Sequence, residues 1–201
     1  MVLSREIVSE GLLDELDRFG SLVGGLSDAQ WGMPTRCEGW SVADVAAHLI
    51  GTMADIAAGR LDGLGTPEVT QREVDERKGR SPSDLAAECK ETRDAAGALL
   101  PAFDDAAWDG PAPGGYDGTL GEAVEALWYD AYVHADDIRA AVGMPSESGP
   151  GLGAATSHVV AHLEKLGWSG EIPDGNGEAH QFVLAATGRA QRPESMPNIY
   201  A

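Results

Sequence analysis

His48, Asp130 and His134 are the residues of this 201-residue chain whose types and placing suit them to hold a divalent cation. Asp130 and His134 stand at i and i+4, so on a helix their side chains leave one face a turn apart and can reach the same ion. At about 100° per residue, His134 points the same way as Leu127, Ala131 and Ile138, toward a core rather than water. A carboxylate and an imidazole buried together are costly unless something satisfies both, and a divalent cation does. His48 borders a second apolar stripe of Val42, Val45, Leu49 and Ile56, so a neighbouring helix would bring it to the same point. Two histidines and one carboxylate make a three-ligand set that leaves a coordination position open to water or substrate. The same residue types also form salt-bridged pairs and satisfied core-edge histidines, so convergence is what decides. His158 and His162, again i and i+4, are a competing pair.

Around this constellation, Asp137 lies one turn beyond His134 and either orients that imidazole or is solvated. Arg139 and Arg189 carry guanidinium groups that pair bidentately with the carboxylate of a substrate or thiol; surface salt bridges are their other role. Cys37 has no partnered base in sequence and reads as a packing residue, as does Trp40.

Four amphipathic helices must position these groups. The stripe Ile7, Val8, Leu12, Leu16, Phe19, Val23 and Leu26 marks the first, within 4–26. Ser41, with Asp44 three residues on, opens a second helix that runs to about Ala58. Ser81-Pro82-Ser83-Asp84 opens a third, which stops before Pro101. Thr119-Leu120-Gly121-Glu122 is a capping box opening a fourth, which continues to Val142. The connection over 60–80 is long for a hairpin and suggests a crossover between parallel helices. Ala155, Val159, Leu163 and Leu166 predict a fifth helix, and 180–186 leans helical. No alternating segment before Gly149 supplies a sheet, so the expectation is an all-α four-helix bundle. It divides into 1–145, the metal-binding bundle, and 146–201, a small C-terminal segment packed on it.

With 33 acidic against 14 basic residues, the net charge of −19 repels phosphate backbones and anionic headgroups. Nucleic acid and membrane are therefore excluded as expected partners. Cys37 and Cys89 stand in no metal-knuckle or redox spacing. No apolar run approaches the length of a membrane helix, and no signal-peptide pattern opens the chain, so the expected location is the cytoplasm.

The stretch Pro34-Thr35-Arg36-Cys37-Glu38-Gly39-Trp40, opening a helix that carries His48, resembles a signature of the DinB-like, mycothiol-dependent maleylpyruvate isomerase family. Asp130-Ala131-Tyr132-Val133-His134-Ala135-Asp136-Asp137 is similar to the family's second segment, and Phe182 to Arg189 to its hydrophobic Gly-Arg ending. The resemblance implies a DinB-like four-helix bundle with a small C-terminal extension, and His48, Asp130 and His134 as metal ligands. It implies zinc, or nickel, as the ion and mycothiol as thiol cosubstrate. Asp130 stands where the isomerase carries a glutamate, one methylene longer. The expected function is a mycothiol-dependent S-transferase or cis-trans isomerase, in which the ion favours the thiolate for attack on an electrophilic small molecule. The protein would be a monomer or homodimer. The alternative is a non-catalytic bundle that binds a small molecule or holds a structural metal.

Overall fold

Side-chain caps fix where the main helices begin. Ser4 accepts a hydrogen bond from the amide of Ile7 and opens α1, Arg5–Gly24. After a short helix α2, Asp28–Trp31, reciprocal capping boxes start α3, Val42–Ala57 (Ser41 with Asp44), and α5, Pro82–Leu99 (Ser81 with Asp84). Another, Thr119 with Glu122, starts α7, Leu120–Ala141. Each box satisfies amide groups that a helix start leaves without partners. Helix α4, Pro67–Glu76, lies between α3 and α5, and the short helix α6, Asp105–Trp108, precedes α7. Two further helices, α8 (Pro150–Lys165) and α9 (Asn176–Ala186), complete the fold. The computed structural model describes residues 3–200; among them there is no strand, only two isolated bridges.

Close pairs along the helices give their directions. Between α1 and α5, Asp17 meets Arg93 while Gly20 faces Cys89 and Gly24 faces Ala86, so the two run antiparallel. Gly11 faces Trp128, and Glu15 approaches Tyr132, so α1 and α7 run in the same direction. His48 meets Asp130 while Arg36, just ahead of α3, reaches Asp137, so α3 opposes α7. It follows that α3 and α5 point the same way, and the chain crosses between them through α4.

One core fills the space between α1, α3, α5 and α7, with Phe19, Leu49, Leu85 and Ile138 fully buried. A second lies on the other side of α7, where Tyr129, Tyr132 and Val133 pack on Leu152, Val159 and Leu163 of α8 and Phe182 of α9. Helix α7 is therefore buried on two faces. The turn before α3 is closed by Thr35 Oγ1 donating to the Trp40 carbonyl at 2.9 Å and by Gly39 at φ 80°, a conformation that favours glycine. This turn delivers Arg36 and Cys37 to α7.

Candidate metal centre

The antiparallel approach of α3 and α7 brings His48, Asp130 and His134 together. One donor atom from each lies within 4.8 Å of the others. His48 Nε2 is 3.8 Å from Asp130 Oδ2, and His134 Nε2 is 3.4 Å from Asp130 Oδ1. Two donors on a tetrahedral zinc with bonds of about 2.0–2.1 Å would be roughly 3.3 Å apart, so little movement separates this arrangement from a coordinated one. Asp130 keeps 27% of its side chain exposed, which leaves the group open to the adjoining cavity.

Both imidazoles are aimed from behind. His48 Nδ1 is 2.9 Å from Glu73 Oε2, and His134 Nδ1 is 3.1 Å from Asp137 Oδ2. A carboxylate oxygen accepts, so Nδ1 donates in each ring and Nε2 is turned to the shared point. Glu73 is itself held by the Thr52 hydroxyl, which donates at 3.1 Å. The rings of His48 and His134 lie 5.3 Å apart at 89°, and Trp40 packs edge-on against His48. The donor set, its spacing and its paired supports fit a zinc-type ion.

Charge is concentrated here. Burial opposes ionisation of Asp130, but His134, then His48 and Arg189, hold its carboxyl down at about 2. Burial likewise opposes the His134 imidazolium, but Asp130 and Asp137 raise it well above the usual histidine value. Asp137 is pulled far below the carboxylate range, against its burial, by bonds from His134 and Arg189. Metal-free, the centre is a closed network of ion pairs; seating a cation would displace a proton from His134.

A second grouping, Cys37, His134 and Asp137, also lies within ligand spacing. Asp137 there already accepts from Arg36 Nε (3.1 Å), Arg189 Nη2 (2.9 Å) and Cys37 Sγ (3.2 Å). Two guanidinium groups at that carboxylate repel a cation, so the set containing His48 is the better site.

Among the other sequence-derived residues, Arg189 lines the cavity beside the centre and Asp137 supports His134 from behind. Arg139 is different. It is 3% exposed, bonds Glu147 Oε1 at 2.6 Å and is absent from the cavity wall. Five residues past His134 is about 140° round the helix, which turns it toward Glu15 and away from the site. His158 stacks on Tyr129 and His162 lies tilted against His158 along one cavity wall; neither joins a donor grouping among the described residues. Glu73, Thr52, Arg36 and Asp136 were not anticipated. Arg36 and Asp136 carry a signal in their places within the two family-like segments, whereas Glu73 comes from a helix whose inner face is polar.

The residues from 12 to 139 match the family model described as the mycothiol maleylpyruvate isomerase N-terminal domain. The chain belongs to this family. Among solved structures, the mycothiol-dependent maleylpyruvate isomerase is similar at 17% identity and a TM-score of 0.62, and a histidine-to-alanine mutant of it at 16% and 0.62. Each comparison covers 94% of this chain and 90% of the other. At that identity the likeness speaks for the fold, the all-helical DinB-like bundle. No curated protein gives a sequence match. This member of the maleylpyruvate isomerase family places its His48, Asp130 and His134 inside the matched span.

Proposed function

We propose that the chain is a metal-dependent, thiol-using enzyme, a mycothiol-dependent S-transferase or cis-trans isomerase. The reading rests on one observation: two imidazole nitrogens and a carboxylate converge at the wall of a cavity of about 1210 Å³, each imidazole backed by a buried carboxylate. Zinc or nickel held by His48, Asp130 and His134 would supply a positive charge that favours the thiolate of a bound thiol at neutral pH.

The chain's own residues do the rest. Glu73 and Asp137 fix the imidazole orientations, so little reorganisation is needed when the site fills. The apolar wall keeps water from the nucleophile and strengthens the field of the charges around it. Arg189, anchored on Asp137 through Nε and Nη2, presents its remaining edge at the cavity, where a carbonyl or hydroxyl oxygen of the thiol can accept a hydrogen bond. Residues 1–145 form the metal-holding part in this reading, and 146–201 contribute Arg189.

Protein purified without chelator should contain about one equivalent of metal. It should also support mycothiol-dependent turnover, read as thiol consumption with chlorodinitrobenzene or as cis-trans conversion of maleylpyruvate. Stoichiometric metal without thiol chemistry on any electrophile would favour a non-catalytic bundle with a structural ion. Absence of metal from the wild type together with unchanged behaviour of His134→Ala would overturn the site.

A further inference from the structure

The cavity has two unlike ends, and the metal donors lie between them. Toward the C-terminal half of α7 it is polar, with Arg36, Cys37 and Arg189 on its wall. Toward the start of α7 and the end of α3 it becomes an apolar chamber walled by Met53, Ile56, Leu61, Phe103, Val124 and Leu127. Leu127 and Val124 recede from Asp130 by one and two turns of α7, as Thr52 and Ile56 recede from His48 on α3, so the chamber opens directly off the donors.

The charge at the polar end is already spent. Arg36 gives Nε to Asp137 and Nη2 to Asp136 at 2.6 Å, and Arg189 holds Asp137 at 2.9 Å. Two guanidinium groups against two buried carboxylates leave no net charge there to hold a dianion. Among the described residues no lysine or arginine lines the apolar chamber, and the whole molecule carries −19. Binding sites for drug-sized ligands occupy roughly 300–1,000 Å³, so a cavity of about 1210 Å³ has room for a thiol and a second molecule together.

We infer that the second substrate is a neutral, largely apolar electrophile seated in the chamber between α3, α7 and the segment 61–65, rather than a small dicarboxylate. The inference rests on the thiol-activation reading above for its chemistry, but not for its binding preference. With an aryl chloride as the electrophile, a carbon–sulfur bond forms as the carbon–chlorine bond breaks. Chloride departs and the thiol proton passes to water.

The test uses metal-loaded full-length protein, mycothiol, and two electrophiles: chlorodinitrobenzene, which is neutral and apolar, and maleylpyruvate, a small dicarboxylate. Binding of the neutral dye Nile red is followed in parallel. Wild type should turn over the aryl chloride with the higher kcat/KM and bind the dye. Leu127→Gln and Leu61→Gln, both at half-buried wall positions, should each lose about tenfold in aryl-chloride kcat/KM and weaken dye binding, with metal content and melting temperature unchanged. Preference for maleylpyruvate, or dye binding indifferent to both substitutions, would overturn the inference while leaving thiol activation intact. Dye binding lost in both variants, with no mycothiol-dependent turnover of either electrophile, would instead overturn the reaction and leave the chamber's apolar preference standing.

Discussion

Glu73 shows how much of a centre can hang on a residue that is not itself a ligand. Its Oε2 takes both the Nδ1 proton of His48 and the hydroxyl of Thr52, while Oε1 has no hydrogen-bond partner among the described residues. Glu73→Gln keeps the shape but replaces a charged acceptor, so metal affinity should fall about 10–100-fold; chelator competition measures it, and an unchanged constant would remove Glu73 from the assembly. His158 makes a different prediction. Burial first, then His162, pulls its imidazole down to about 3 from 6.5. The unfolded chain therefore takes up a proton near 6.5 that the fold refuses until about 3, and stability attributable to this side chain rises with pH across that interval. His158→Phe, which keeps a ring against Tyr129, should lose less stability than wild type when urea unfolding is compared at about pH 7 and about pH 5. Equal losses would show that His158 is not the titrating group.

At the level of elements, the starts of α3, α5 and α7 are legible because Ser41, Ser81 and Thr119 announce caps in sequence, and their apolar stripes repeat at the helical period. His48, Asp130 and His134 could be nominated from the same periodicity. Helix α4 escaped it. Thr66-Pro67 is a start signal, but the buried face carries Glu73 and Arg77 with Val74 as its buried aliphatic residue, so no hydrophobic rhythm marks it. Arg139 misled because its type suits carboxylate recognition, while its angle about α7 points elsewhere. The contact between α3 and α4 is close enough to require a glycine: a Cβ on Gly51 would stand 2.6 Å from Glu73 Cβ and 2.9 Å from Arg77 Nη1. Gly51→Ala should thus push α4 outward, cost about 1–3 kcal/mol in stability and weaken metal binding through the displaced Glu73. Urea unfolding and metal titration of the variant check both; normal values would mean α4 yields without moving its carboxylate.

Over the whole molecule, two cores meet at α7, which is why that helix reads as buried nearly all round: Ala131, Ala135 and Ile138 serve one side, Tyr129, Tyr132 and Val133 the other. The C-terminal helices thereby join the site, since His180 of α9 bonds Asp136 at 2.9 Å and Arg189 follows α9. That coupling is invisible in sequence, where 146–201 looks like an appendage. An ion bridging α3 and α7, as the proposed function requires, would stabilise the entire fold. Zinc at a hundredfold excess over its Kd should add about 2.7 kcal/mol, a rise of about 5–10 °C in melting temperature for a domain of this size. Asp130→Ala should show no such rise, and a shift retained by that variant would place the ion elsewhere.

Leu61, Leu64 and Gly65 border the apolar chamber, Thr66 caps α4 at the next position, and α4 carries the carboxylate that aims His48. Chamber wall and histidine anchor thus ride on one short rod. Were a guest to press that wall outward, the rod would tilt and Glu73 would loosen its hold on His48; an ion seated at His48 would in turn resist the tilt. Because such coupling is reciprocal, guest and ion must change each other's affinity by the same factor.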